Sequence, residues 1–369
     1  LKSFNGHGHP RIGALMRTVA PLIAQRYYAC VAMPNPKGFL ITSCDRMVEY
    51  HQKLNEVTDG KVRWIMKLYW TETLDPREVE RACEHPDFGG MKYYPRGLTT
   101  GSEEGITDPT LLWTPGSRPY EVARICAQAG KPLSYHGADG FARANVRIGG
   151  RAYREGDELD PYDQEEHFVD QTFPYVIDAH PDAKHVFEHL STIPGVERAR
   201  RSRSSNIAYT VTGHHPMMDR RDMMRGGLRS DYFCWPVPQS FEHMQELRRF
   251  ATEGRDDVFA GDDGASHPKD AKYSSCCSAG INTTACSEEL YTTLFEEAGA
   301  LKHLETFTAL NGPRIYGIEP SKETVTLRRE PYTPPKTFVC DDGTELVNYQ
   351  QPDVREKSGI RSLNWSLVT

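Results

Sequence analysis

Apolar, β-branched and aromatic residues fall along this chain in short runs, with longer amphipathic stretches between them. The runs predict strands at Tyr28–Met33, Val62–Tyr69, Gly90–Tyr94, Pro132–Tyr135, Lys184–Glu188, Ile207–Thr212 and Val258–Ala260. An opening strand just before His7 makes eight. Helical spacing is read at Ile12–Gln25, Asp45–Leu54, Asp75–Glu84, Pro119–Ala129, Glu165–Ala179 and Phe241–Glu253. Strands alternating with helices predict βαβ units and a parallel sheet. Eight such units predict a (β/α)8 barrel rather than an open, doubly wound sheet. The barrel is expected to absorb residues 1–325 as a single domain, with 326–369 as a C-terminal tail packing on it.

Polar residues gather where these runs end. Asn35 follows Cys30–Pro34, Lys92 sits in GGMKYYP, His136 ends PLSYH, His189 ends KHVFEH and Asp263 ends VFAGDD. A (β/α)8 barrel builds its active site at the C-terminal face of its strands, so five coincident strand ends predict a catalytic mouth. Two segments interrupt the alternation. Gly137–Pro161 reads as a long loop, and Pro331–Pro352 as a surface tail leading to a strand-like Leu363–Val368. The basic run Arg198–Arg203 reads as a solvated helix end rather than a nucleic-acid patch.

Composition narrows the class. With 38% hydrophobic and 26% charged residues, the chain can build a full core. Acidic residues outnumber basic ones, 51 to 44, which argues against a nucleic-acid binder. No uninterrupted apolar stretch is long enough for a membrane span. The nine scattered cysteines form no C-x-x-C pair and predict reduced, cytoplasmic thiols. No charged-then-apolar leader follows Leu1, so a secretory signal is not expected.

The sharpest local feature is His7-Gly8-His9. Residues i and i+2 of a strand point to one side, so both imidazoles can reach one metal. With His136, His189 and Asp263, four nitrogens and a carboxylate would face one mouth, a set suited to zinc or a similar divalent ion. Lys92 there has three readings: a buried ion pair, a Schiff-base nucleophile, or a carbamylated metal bridge. The neighbouring ligands favour the last.

Ten stretches then carry a family resemblance in order along nearly the whole chain. They are HGHPR (His7–Arg11), VAMPN (Val31–Asn35), MKYYPRGLTT (Met91–Thr100), YHG (Tyr135–Gly137), VFEHLST (Val186–Thr192), RSDYFCWP (Arg229–Pro236), FAGDDGASH (Phe259–His267), SSCCSAG (Ser274–Gly280), LFEE (Leu294–Glu297) and NGPRIYG (Asn311–Gly317). In these the chain resembles the short, single-domain dihydroorotases of the amidohydrolase superfamily. The resemblance implies a cytoplasmic, free-standing homodimer that interconverts L-dihydroorotate and N-carbamoyl-L-aspartate in pyrimidine synthesis.

It also implies roles. His7 and His9 would hold one zinc ion and His136 and His189 a second, with carbamylated Lys92 and a hydroxide bridging the two. Asp263 would bind the first ion and serve as general base, with Asp262 as its competitor. Arg11, Asn35 and His267 match residues that grip a substrate carboxylate, and Thr99-Thr100 a loop that closes over it. Ala279 and the backbone near Trp235 match contacts to the amide edge of the ring. Arg11 suits a carboxylate because its planar fork donates two parallel hydrogen bonds.

The family's HLHLRDG run reads HGHPRIG here, a glutamate is replaced by Ala138, DSAPH reads DGASH, and a leucine becomes Trp235. These changes lie beside the substrate positions and keep a second ring open: another carboxylated cyclic amide, imide or lactone. A catalytically inert scaffold is the third reading, against which the intact ligand set argues. His180, His185, His214 and His215 are expected to be ordinary helix, strand or loop residues. The Met217-Met218 and Met223-Met224 pairs are expected to pack a loop on the barrel. Cys276-Cys277 is expected in a mobile loop without a nucleophilic role.

Overall fold

The computed structural model describes residues 1–369 apart from 203, 354, 357, 358 and 369. Eight strands form one sheet: β1 (Ser3–Gly8), β2 (Tyr27–Ala32), β3 (Arg63–Trp70), β4 (Phe88–Tyr93), β5 (Leu133–His136), β6 (His185–Glu188), β7 (Ile207–Val211) and β8 (Val258–Ala260). Each pairs in parallel with its sequence neighbour. A parallel bridge from Gly8 to Gly264 and a hydrogen bond from Asp263 N to His7 O (3.0 Å) bring β8 back to β1. The architecture is a (β/α)8 barrel.

The outer helices begin where the sequence supplies caps. In α1 (Gly13–Arg26) none is present, but α2 (Cys44–Thr58) starts at Ser43, whose side chain accepts from Arg46 N. Asp75 caps α3 (Pro76–Cys83) and Ser117 caps α4 (Arg118–Gln128), each with a proline in the first turn, where a missing N–H costs nothing. The stretch read as one helix from Glu165 divides into α5 (Gln164–Gln171) and α6 (Phe173–Ala179). Pro174 cannot continue the hydrogen-bond ladder, and Thr172 turns its hydroxyl to Asp139 (2.6 Å). Thr192 caps α7 (Ile193–Arg201), Phe241–Thr252 forms α8, and Ser287–Glu297 forms α9.

Strand alternation divides the core in two. Met91, Tyr93, Leu133, Tyr135 and Phe187 face the helices. Phe4, Val31, Ile65, Val186, Ala208 and Phe259 fill the barrel interior. Ile315 and Tyr316 close the end where β1 begins, with Tyr316 5.6 Å from Phe4 between ring centroids. Burying each such aromatic contributes about 2–3 kcal/mol. At Gly90, φ is +92° and a Cβ would lie 1.9 Å from Pro132 O, so only glycine lets β4 approach β5 before Lys92.

Three expectations change. The predicted loop Gly137–Pro161 contains a small antiparallel hairpin, Val146–Ile148 with Arg151–Tyr153. The C-terminal segment is not merely superficial: Leu346, Tyr349 and Leu363 are buried, Gln351 donates to Met217 O (3.1 Å), and Ser366–Val368 pairs with Thr326–Arg328. Met217, Met218 and Met223 are buried as expected, but Met224 is exposed. The basic run ends α7, with Arg200 paired to Glu246 and Glu253; Arg203 lies outside the described residues. Among the described residues no helix is long and apolar enough to cross a membrane.

Candidate active site

At the C-terminal ends of the strands, the side chains of His7, His9 and Asp263 converge. His7 Nε2 and His9 Nε2 stand 3.1 Å apart, and Asp263 Oδ1 lies 3.2 Å from the first and 3.0 Å from the second. Two ligands bonded at 2.0–2.1 Å around a tetrahedral ion are about 3.4 Å apart, so these three atoms stand close to the span one ion requires. Beside them, His136 and His189 pack edge to face, 4.5 Å between centroids. His136 Nε2 and His189 Nδ1 are buried without a hydrogen-bond partner. Buried imidazole nitrogens left unpaired are costly, and a second ion would use both. The donor set therefore fits two divalent ions.

Backbone strain helps aim these groups. Arg11 (φ 63°), His189 (φ 44°) and Asp263 (φ 48°) are three of the four non-glycine residues in left-handed conformation among those described. At β6, alternation sends Val186 and Glu188 inward; the left-handed turn then brings His189 into the mouth as well. Thr210 holds that turn, its hydroxyl accepting from His189 N (2.8 Å) while its carbonyl accepts from Leu190 N (3.0 Å).

Burial dominates the electrostatics. It pushes His9 down to about 4 and Arg11 to about 10. It also drives His136 and His189 well below the usual imidazole range, helped by Lys92 at both and by His136 at His189. Neutral imidazoles carry the lone pairs that ligation needs. Burial alone would raise Asp263, but His7 and His9 hold it well below the carboxylate range. Lys92 is fully buried and lowered by desolvation, against the pull of its ion-pair partner Glu188.

The predicted residues other than Lys92 line one narrow cavity, and Lys92 is fully buried outside its lining. Arg11 donates from Nε to Ser266 O (2.9 Å) and brings Nη2 to 3.3 Å from His267 Nε2. His267 Nε2 also meets Ala279 O (2.8 Å). The ring nitrogen cannot donate to Ala279 and accept from Arg11 together, so a carboxylate arriving at Nη2 would relieve the conflict. Asn35 donates to Thr100 O (3.0 Å), Thr100 donates to Ala279 O (3.3 Å), and Thr99 N donates to Ser102 Oγ (3.0 Å). The Thr99-Thr100 loop thus stands closed across the mouth, with Trp235 on another wall. A larger open groove beside Lys37, Arg46 and Glu103 has no such convergence of ligands among the described residues.

Of the two adjacent aspartates, Asp262 is engaged elsewhere. It accepts from Tyr27 OH (3.1 Å) and Gly264 N (2.9 Å), away from the cavity. His214 and His215 are buried and do not line the cavity either.

No family model matches the chain. Curated relatives do. A dihydroorotase of Halorhodospira halophila is 34% identical over 363 residues, covering 98% of this chain and 96% of the relative. One from Jannaschia sp. is 34% identical, covering 91% of each. This chain belongs to the dihydroorotase family. Solved structures agree on the fold: dihydroorotase of Saccharomyces cerevisiae in complex with 5-fluoroorotic acid superposes with TM-score 0.85 at 23% identity, covering 99% of this chain and 96% of that one. L-Hydantoinase of Arthrobacter aurescens follows at TM-score 0.73 and 15% identity, covering 100% of this chain and 82% of that one.

In this member of the dihydroorotase family, the sequence reading passed over Glu188. Its carboxylate contacts Lys92 Nζ and lies 2.9 Å from His7 Nδ1, fully buried. Burial would raise it, but Lys92 and His7 bring it to about 2. The inward parity of Val186 was the available signal. Asn5 was also missed; its Oδ1 accepts from both His7 N and Asp262 N (3.0 Å each), tying β1 to the chain after β8.

Proposed function

We propose that the chain hydrolyses the cyclic amide of L-dihydroorotate to N-carbamoyl-L-aspartate, reversibly, in pyrimidine synthesis. The observation that carries this is the convergence of His7, His9, His136, His189 and Asp263 above Lys92, in a chain of the dihydroorotase family. His7, His9 and Asp263 would hold one ion, and His136 and His189 a second. Lys92, a buried lysine whose proton is weakened, would join them once carbamylated by CO2. Zinc suits the nitrogen and oxygen donors. When bound, two such ions supply a water activated at neutral pH and a Lewis acid for the ring carbonyl.

The chain's own residues do the rest. Arg11 Nη2, Asn35 and His267 would orient the substrate carboxylate. The closed Thr99-Thr100 loop would exclude bulk water, and Ala279 and the Trp235 backbone would meet the amide edge. Asp263 Oδ1 would take a proton from the attacking water and return it to the departing ring nitrogen, so that hydroxyl adds to carbon and hydrogen to nitrogen.

We read residues 1–325 as the catalytic unit and 326–369 as a strap across it. Nine unpaired thiols support a reducing cytoplasm, and the family resemblance supports a homodimer. Incubating the purified chain with L-dihydroorotate, metal and bicarbonate tests the activity. Absence of turnover in a folded, metal-loaded sample would overturn it.

A further inference from the structure

A second cluster of metal-binding side chains lies outside the mouth. His214, His215 and Cys234 each present one ligand atom, all within 4.8 Å of one another, and all three residues are buried. His214 is fully buried and neither of its ring nitrogens has a hydrogen-bond partner. Leaving a buried polar group unpaired is costly, and a ligand would offset that cost. His215 Nε2 stands 3.7 Å from Cys234 Sγ. A nitrogen at about 2.1 Å and a sulfur at about 2.3 Å from a tetrahedral zinc ion are about 3.6 Å apart. Nδ1 of the same ring meets Thr212 Oγ1 at 2.8 Å, the kind of outer partner that fixes a ligating imidazole.

We propose that His214, His215 and Cys234 form a further metal site, for a thiophilic divalent ion such as zinc, that ties the exit of β7 to the Trp235 wall of the substrate cavity.

Without an ion, His215 Nε2–H donates to Pro236 O (2.9 Å), and the Cys234 thiol lies 3.2 Å from the same carbonyl. Ligation moves the His215 proton to Nδ1, where Thr212 Oγ1 accepts it, and releases the thiol proton to solvent. Burial keeps both imidazoles neutral and holds the thiol protonated until an ion arrives. The mixed nitrogen and sulfur set separates this site from the mouth, whose ligands are nitrogen and oxygen.

The full chain carrying Cys276→Ser and Cys277→Ser, which removes the more accessible thiols, is stripped and reloaded with cobalt(II) alone. A thiolate-to-cobalt charge-transfer band is expected, with one more equivalent of cobalt than in the same chain carrying Cys234→Ser, where the band disappears. If Cys234→Ser does not fold, X-ray absorption of the zinc-loaded parent decides, with a sulfur neighbour expected at about 2.3 Å. A folded chain with no band, or a zinc spectrum with nitrogen and oxygen neighbours only, overturns the proposal. Both readouts follow the thiolate itself, so they stand apart from dihydroorotate turnover, which reports the mouth.

Discussion

The backbone N–H of Asp263 donates to the carbonyl of His7 at 3.0 Å, while Asp263 Oδ1 lies 3.2 Å from His7 Nε2. One residue pair therefore closes the barrel and sets the Asp263 carboxylate against the His7 imidazole. Side chains from opposite ends of the sheet order become neighbours only when β8 reaches β1. Closure and site formation are a single event in this fold.

Asp263→Asn keeps the size and removes the carboxylate proposed as the base. The expected result is a fall in kcat of about 10²–10⁴-fold with the fold intact by circular dichroism. Asp262→Asn should instead lower thermal stability, because its carboxylate serves Tyr27 and Gly264. Normal turnover in Asp263→Asn would assign the proton transfer to another group.

The Glu188 carboxylate lies 2.9 Å from His7 Nδ1, within reach as that ring's outer partner in the proposed metal site. Losing such an outer partner costs about 10–100-fold in metal affinity. Equilibrium dialysis of Glu188→Gln against zinc should show weaker binding of that order, and unchanged affinity would reduce Glu188 to a packing role.

Arg11→Lys keeps the charge but loses the fork. Charge-assisted hydrogen bonds contribute about 1.5–3 kcal/mol each, so KM for dihydroorotate should rise about 10–100-fold. The effect on kcat should be smaller. An unaltered KM would place the substrate carboxylate elsewhere.

Gly101 follows the loop threonines with φ +72°, and a Cβ there would lie 2.8 Å from Asn35 O. Gly101→Ala should open the loop at its hinge, raising KM and lowering kcat together. Steady-state kinetics check this, and wild-type values would show that the loop does not gate the site.

His185 sits between Tyr135 OH (2.9 Å to Nδ1) and His180 O (3.0 Å to Nε2), and burial lowers it to about 4. Its unfolded value is about 6.5, so its contribution is present above that pH and is lost as pH falls toward 4. The full shift corresponds to about 3 kcal/mol. Urea unfolding at pH 7 and pH 4 should show wild type losing about that much more stability than His185→Gln. Parallel losses in the two proteins would refute it.

Much of the site was legible because buried parallel strands read as apolar runs, and a polar residue ending such a run stands out. His136, His189 and Asp263 were found that way. Glu188 was missed because it precedes a more conspicuous histidine and because the left-handed turn at His189 brings two consecutive residues to the same mouth. The break at Thr172 and the hairpin after Val146 depend on local hydrogen bonds that periodicity does not record.

By itself, the sequence determined the strand and helix alternation, the eight-unit barrel and the residue types at its mouth, because these follow from local spacing and burial. Only the tertiary structure turned Asp263 into the cavity and Asp262 away from it, gave His7 and Lys92 a shared neighbour in Glu188, and brought Thr100 to Ala279 across the cavity. Adjacent residues differ by the direction of their side chains, and contacts between distant strands depend on barrel closure. Local pattern encodes neither.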